Sequence, residues 1–271
     1  MVLKSYFDGG NQADSSQYDV VSLASVAAID LDWSPFEAEW RIMLQRYFGD
    51  RYPESHLHTV DAVTGNGVYK GWGREKTTDF LSDSVGIAIK HLIKKKNLKI
   101  GFPGKYGLYG CITTVNIKDF IEHAQNYPEA PQNANELLLR QTLALLLPWS
   151  QRGADPPCDE CHCIFDQGEP FYGHLDDIIT RKKALQDAPL LAHITSRTKA
   201  NMRRTPALQL ADLLAWCESH KLDTNKPQWH ESILGSDVQR EWYDRTNLGN
   251  NAPDQQKVFR SWKVNRRRPT R

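Results

Sequence analysis

The sequence predicts an α/β protein, a mixed sheet with helices on its faces. Three observations carry this. Two apolar segments near the start, residues 2–8 and 20–29, are separated by the polar "GGNQADSSQ" and read as an antiparallel strand pair. Downstream, strand-like and helix-like periods alternate, which implies parallel strands with helical crossovers. The last periodic segment, "TPALQLADLLAWCESHK", is apolar nearly all round, as a helix buried inside the molecule would be.

Each element has a local reason. "VVSLASVAAI" (20–29) is a continuous apolar run, long enough for a buried strand. Ser34-Pro35 is expected to open a helix, with Ser34 as N-cap, Pro35 at the first helical position and Gly49 at its end. Phe36, Trp40, Met43, Leu44 and Tyr47 fall on one face of it. "HLHTVDAV" (56–63) is a short alternating segment, and the glycine-rich "GNGVYKGWG" follows as a loop. A helix is expected from about Thr78 to Lys95, capped by Thr77 or Thr78. Then come a strand at 110–117, a helix at 134–147, a strand at 161–166, a helix at 174–185, a strand at 190–196 and the helix at 206–220. Residues 1–221 read as one elaborated domain. Residues 222–271 read as an appendage with several turns and a basic tail.

Composition excludes more than it selects. Lys and Arg number 34 and Asp and Glu 33, so net charge favours no class of partner. The start carries no signal-peptide core, and "LLLRQTLALLL" is interrupted by Arg140 and Gln141, so no membrane partner is expected. Five cysteines without an export signal fit a reducing, cytoplasmic setting. No G-x-S-x-G and no H-E-x-x-H is present, and the lysine of "GNGVYKGWG" lacks P-loop spacing.

The candidate chemistry lies in carboxylates. "YFDGG" ends an apolar strand on Asp8 and turns on glycines; "CIFDQGE" repeats that arrangement with Asp166 and Gly168. Either aspartate alone is as well read as a turn residue. Asp212 sits in the middle of the all-apolar helix, where an unpaired carboxylate is costly. Its structural reading is a buried partner of Arg203 or Arg204. A fourth candidate is Asp61, with His58 close to it in sequence. Carboxylates gathered in one place suit Mg²⁺ or Mn²⁺, which prefer oxygen ligands, and two such ions can serve a phosphoryl displacement.

"YFDGG", "HLHTVD", "CIFDQG" and "TPALQLADLLAW" occur in this order, and on them the chain resembles an uncharacterised prokaryotic family with a ribonuclease H-like fold. Its members open on a strand ending in Asp-Glu-Ser-Gly and close on a Leu-Gln-Leu-Ala-Asp helix. The likeness spans residues 3 to about 220, and Leu208 to Leu213 is its most specific piece. It implies a ribonuclease H-like sheet and a metal site containing Asp8, Asp166 and Asp212, with Asp61 or His58 as a fourth member. Position 9 is Gly where the family has Glu, closer to the Asp-Gly-Gly opening of true ribonucleases H.

The expectation is therefore a Mg²⁺- or Mn²⁺-dependent nuclease. Its metal ligands would be Asp8, Asp61, Asp166 and Asp212, with His58 as a proton shuttle. The alternative is a non-catalytic ribonuclease H-like module that binds nucleic acid or a partner protein in a defence or mobile-element system. A homo-oligomer is compatible with either. Two basic segments, "SRTKANMRR" before the Asp212 helix and "FRSWKVNRRRPTR" at the end, could meet phosphates or be solvated faces. Lys70, Tyr69 and Trp72 could grip a single strand, or "GNGVYKGWG" could equally be an ordinary mobile loop. "CDECHC" offers Cys158 and Cys161 to zinc, but no second C-x-x-C completes four ligands. The pattern also contains C-x-x-C-H, yet covalent haem is not expected without export, nor is a disulfide. The plainer reading is thiols at a strand entrance, with Cys163 in the core.

Overall fold

A computed structural model describes residues 1–10, 19–93, 107–127, 131, 133–152, 157–180, 189–244 and 248. β1 (Val2–Gly10) and β2 (Val20–Ile29) pair antiparallel, and every residue of β2 is buried. β2 runs straight into α1 (Asp30–Phe48). A short α2 (Thr59–Thr64) and a longer α3 (Arg74–His91) follow. Next come β3 (Tyr109–Asn116), α4 (Ile117–Asn126) and α5 (Ala134–Arg152). β4 (Glu160–Asp166), α6 (Phe171–Thr180), β5 (Ile194–Ala200), α7 (Pro206–Ser219), α8 (Gln228–Leu234) and β6 (Gln239–Tyr243) complete the order.

The six strands form one mixed sheet in the order β5-β4-β1-β2-β3-β6. Only the pairings made by β2 are antiparallel; β1–β4, β4–β5 and β3–β6 are parallel. Helices cover both faces. α1, α2, α3, α7 and α8 contribute to a core that includes Tyr6, Ala24, Val26 and Ala28. On the other face α4, α5 and α6 pack with Leu3, Phe7, Leu23 and Phe165. The period of two along each strand divides these sets: Phe7 faces one core, while Tyr6 and Asp8 face the other.

α7 lies across β1 and β2. Small residues admit it. A Cβ added at Gly10 would stand 2.4 Å from Ser219 Oγ and 2.8 Å from Ala215 O, so only glycine lets the helix approach here. Ser22 Oγ donates to Ala215 O at 2.8 Å and lies 2.6 Å from Ser219 Oγ, fixing the same contact.

Several expected boundaries move. α1 begins at Asp30, and Ile29 is its N-cap, with Asp30 and Asp32 placing negative charge on the first turn. Ser34 is therefore inside the helix, its hydroxyl 3.5 Å from Asp30 O, and Pro35 omits one rung near the start. Phe48, more than Tyr47, completes the buried face. α3 starts at Arg74 after an extended Gly73, before either threonine, and ends at His91; Lys95 lies outside the described residues. "HLHTVDAV" is alternating only to Thr59 and then winds into α2. The expected strand at 190–196 is a 3₁₀ turn, Pro189–His193, followed by β5. The helix expected at 174–185 starts at Phe171, and 181–185 lies outside the described residues. α4 was not anticipated; Asn116 caps it, accepting from Asp119 N at 3.1 Å.

The sheet also continues beyond residue 221. β6 pairs with β3, and Trp229, Ile233 and Val238 are buried in the α7-side core. Buried Glu218 on α7 accepts from Arg240 Nε of β6 at 2.8 Å. The basic tail lies outside the described residues. No helix among the described residues is long and apolar enough to cross a membrane.

Candidate functional site: carboxylates at the strand ends

Parallel register sets the first pair. Phe7 of β1 stands opposite Phe165 of β4, their rings stacked at 4.8 Å. One residue further, Asp8 and Asp166 lie side by side on neighbouring strands, roughly 5 Å apart between backbones. β4 ends at Asp166, but β1 does not turn at the glycines as expected, because Gly9 and Gly10 stay paired with Leu23 and Ser22 of β2. Both fall on the face that α7 covers. Ligand sites in open α/β sheets form at such carboxyl ends.

Asp212 reaches the same place from α7. Its Oδ2 accepts from Thr59 N at 2.7 Å and from Thr59 Oγ1 at 2.8 Å. The expected structural partners, Arg203 and Arg204, do not fill this role: Arg204 stands 3.7 Å from Glu54, and no ion pair joins either arginine to Asp212 among the described residues. Asp166 Oδ1 accepts from Met202 N at 2.9 Å, which ties the 3₁₀ turn before α7 to the end of β4.

These groups sense one another. Asp8 is 4 % exposed and Asp212 is 8 % exposed. Burial pushes the Asp8 carboxyl well above the usual carboxylate range, and the charges of Glu169, Asp212 and Asp166 add to that, together with a side-chain hydrogen bond to Glu169. Asp212 is raised by burial and by Asp166, while His58 and the two donors of Thr59 pull it back. Glu169 was not singled out from sequence. The turn Asp166-Gln167-Gly168-Glu169, closed by Glu169 N donating to Asp166 O at 3.1 Å, delivers it. Its signal was a second carboxylate three residues after the strand-end aspartate, across a glycine.

His58 and Asp61 form a separate pair, with Nδ1 2.9 Å from Asp61 Oδ2. This bond places Asp61 on the imidazole and holds the ring in one orientation. The backbone before it is clamped by Tyr69: its hydroxyl donates to His56 O at 2.6 Å and accepts from His58 N at 3.2 Å. Tyr69 is fully buried, and it and Trp72 join Phe48 and Phe80 in an aromatic cluster, so the loop plugs the core instead of presenting rings to a strand. Trp72 is covered by Lys76, 4.1 Å from its ring.

Cys158, Cys161 and Cys163 are buried and form no disulfide among the described residues, and Cys161 and Cys163 face the core beneath α5 and α6. Burial raises the Cys158 thiol to about 11. His162 lies on the opposite face, 3.7 Å from Glu160.

Asp8 and Asp212, which are buried, and Asp166 and Glu169, which are half-buried, offer the oxygen donors that a hard divalent cation prefers. Among the described residues no three His, Cys, Asp or Glu side chains are yet disposed around a common metal position. Comparison with known proteins finds no matching family model, no matching curated protein and no matching solved structure. Fold and site together define an α/β protein with a group of carboxylates, Asp8 and Asp212 buried and Asp166 and Glu169 half-buried, near the carboxyl end of β4.

Proposed function

We propose that the protein is a ribonuclease H-like, divalent-metal-dependent nuclease that hydrolyses phosphodiester bonds in nucleic acid. One observation carries the reading: three chain-distant aspartates from β1, β4 and α7 act on one another electrostatically, Asp8 and Asp212 buried and Asp166 half-buried. Aspartates buried together without a cation or protons repel, so a fold that keeps them has a use for positive charge there. The single reversed strand, second in the chain, and the helices on both faces suit a ribonuclease H-like sheet.

Asp8, Asp166 and Asp212 would hold Mg²⁺ or Mn²⁺, which when bound supplies an acidified water and charge stabilisation for the displacement. The chain does the rest. Thr59 fixes the Asp212 carboxylate, and Met202 N–H fixes that of Asp166. His58, oriented by Asp61 and close enough to Asp212 to influence its charge, moves a proton between the reacting oxygen and solvent. Asp61 serves as the orienting group in this scheme, not as a ligand.

A second reading has its own support. Asp212 Oδ2 already takes two donors from Thr59, no metal-ready set is formed among the described residues, and Gly9 stands where the family it resembles has Glu. These favour a non-catalytic module that binds nucleic acid or a protein. The test is cleavage of end-labelled single-stranded and duplex RNA and DNA with Mn²⁺, Mg²⁺ or EDTA, using the parent and Asp166→Asn. Metal-dependent cleavage lost in the variant supports the nuclease. Binding of the same probes without cleavage under any condition supports the module.

A further inference from the structure

We propose that Trp216 and His220 form a stacking face for an unpaired nucleobase, so that the strand served by the carboxylate site is single. The proposal rests on the nuclease reading for the placement of the strand. Its own basis is α7. Every residue of that helix is buried except Trp216. Trp216 is half-buried, packed against the core and against Trp229 and His230, so the helix leaves part of one aromatic side chain uncovered at a single point.

That point is in line with the site. Asp212, Trp216 and His220 follow at i, i+4 and i+8, so they share one side of the helix. Along the axis they stand about 6 and 12 Å from Asp212, the scale of a nucleotide step. The two rings are parallel, with centroids 4.1 Å apart and 16° between planes. His220 is held there by its Nδ1–H donating to Trp216 O at 2.8 Å. Trp229 and His230 support the indole from behind, at 5.8 and 5.5 Å. A preformed stack with its outer ring partly exposed extends readily by one more planar ring, and every nucleobase has such a face. Lys221 follows directly. Its ammonium is 2.9 Å from Glu218, whose other oxygen is taken by Arg240, so one carboxylate is divided between two cations beside the stack. In a duplex the bases are already stacked on one another and cannot reach it.

The experiment is fluorescence anisotropy of a labelled oligothymidylate, free or annealed to oligoadenylate, titrated with the full chain in EDTA. The parent should bind the single strand more tightly than the duplex. Trp216→Leu, which keeps apolar volume but removes the π face, should weaken single-strand binding roughly 5- to 100-fold. His220→Ala, which removes the outer ring of the stack, should weaken it at least as much, and neither should alter duplex binding. Equal single-strand affinity in parent and His220→Ala, and in a folded Trp216→Leu, overturns the proposal, as does duplex preference in the parent. The Mn²⁺ melting shift of the same proteins separates the two claims. A Trp216 effect without any Mn²⁺ shift in the parent keeps the stacking face and removes the nuclease.

Discussion

Asp212 is the residue on which the two readings of the site part. Burial raises its carboxyl, and so does Asp166; the donors of Thr59 and the charge of His58 only offset this. A neutral side chain of the same shape should therefore suit the metal-free fold better. Asp212→Asn keeps an oxygen for Thr59 and should raise the metal-free melting temperature by a few degrees at pH 8 while abolishing the gain from Mn²⁺. A variant that melts lower, with an unchanged Mn²⁺ response, would make Asp212 a structural acceptor and nothing more. The pH dependence has a fixed sign. Asp8 and Asp212 bind protons more readily folded than unfolded, so their contribution is whole below about pH 4, the unfolded carboxylate value, and is lost as pH rises through their raised folded values. Metal-free stability should fall with rising pH through this site, and Asp212→Asn should flatten the fall.

At the scale of elements, the site depends on how closely α7 lies on β1 and β2. Gly10 is the narrowest point, since an added Cβ meets the Ala215 carbonyl as well as the Ser219 hydroxyl. Gly10→Ala should cost roughly 1–3 kcal/mol, as overpacking does, measured by urea unfolding. A neutral effect would mean that α7 shifts freely, and then the distance between Asp212 and the strand ends is not fixed by packing. The end of β4 was legible because "CIFD" puts an apolar run before a carboxylate, and α7 because its apolar residues surround a lone aspartate; "YFDGG" misplaced the end of β1, since pairing with β2 carries the strand through both glycines. The start of α1 was not. Ser34-Pro35 carries a strong local cap signal, but β2 delivers the chain directly into a helix with Asp30 and Asp32 at its head, and tertiary continuity prevails. Tyr69 and Trp72 misled for a related reason. A glycine-rich loop reads as mobile, yet its rings fill the space between α1 and α3.

For the molecule as a whole, the boundary expected at residue 221 meets a continuous structure. "QREWY" is short and polar, with four of its five residues only partly buried, so β6 leaves almost no periodic trace in the sequence and exists through its pairing with β3. A chain ending at 221 would expose the core beneath Trp229, Ile233 and Val238 and leave buried Glu218 without Arg240. Removing one partner of a buried ion pair costs about 3–5 kcal/mol, so this truncated chain should be recovered aggregated or molten. A cooperative melt near that of the parent would make 222–244 dispensable. The alternation of elements and the mixed sheet were legible because hydrophobic period survives in sequence. Glu169 and Thr59 were not, because a turn and a two-donor bond to a distant helix are products of the fold. The central claim is that Asp8, Asp166 and Asp212 together hold a divalent cation. Anomalous diffraction from crystals grown with Mn²⁺ tests it most directly. The expected result is a manganese peak about 2.2 Å from carboxylate oxygens of Asp8 and at least one of the other two aspartates, absent in Asp212→Asn crystals. No peak at the ends of β1 and β4, or a peak elsewhere with this site still protonated and bonded to Glu169 and Thr59, would contradict it.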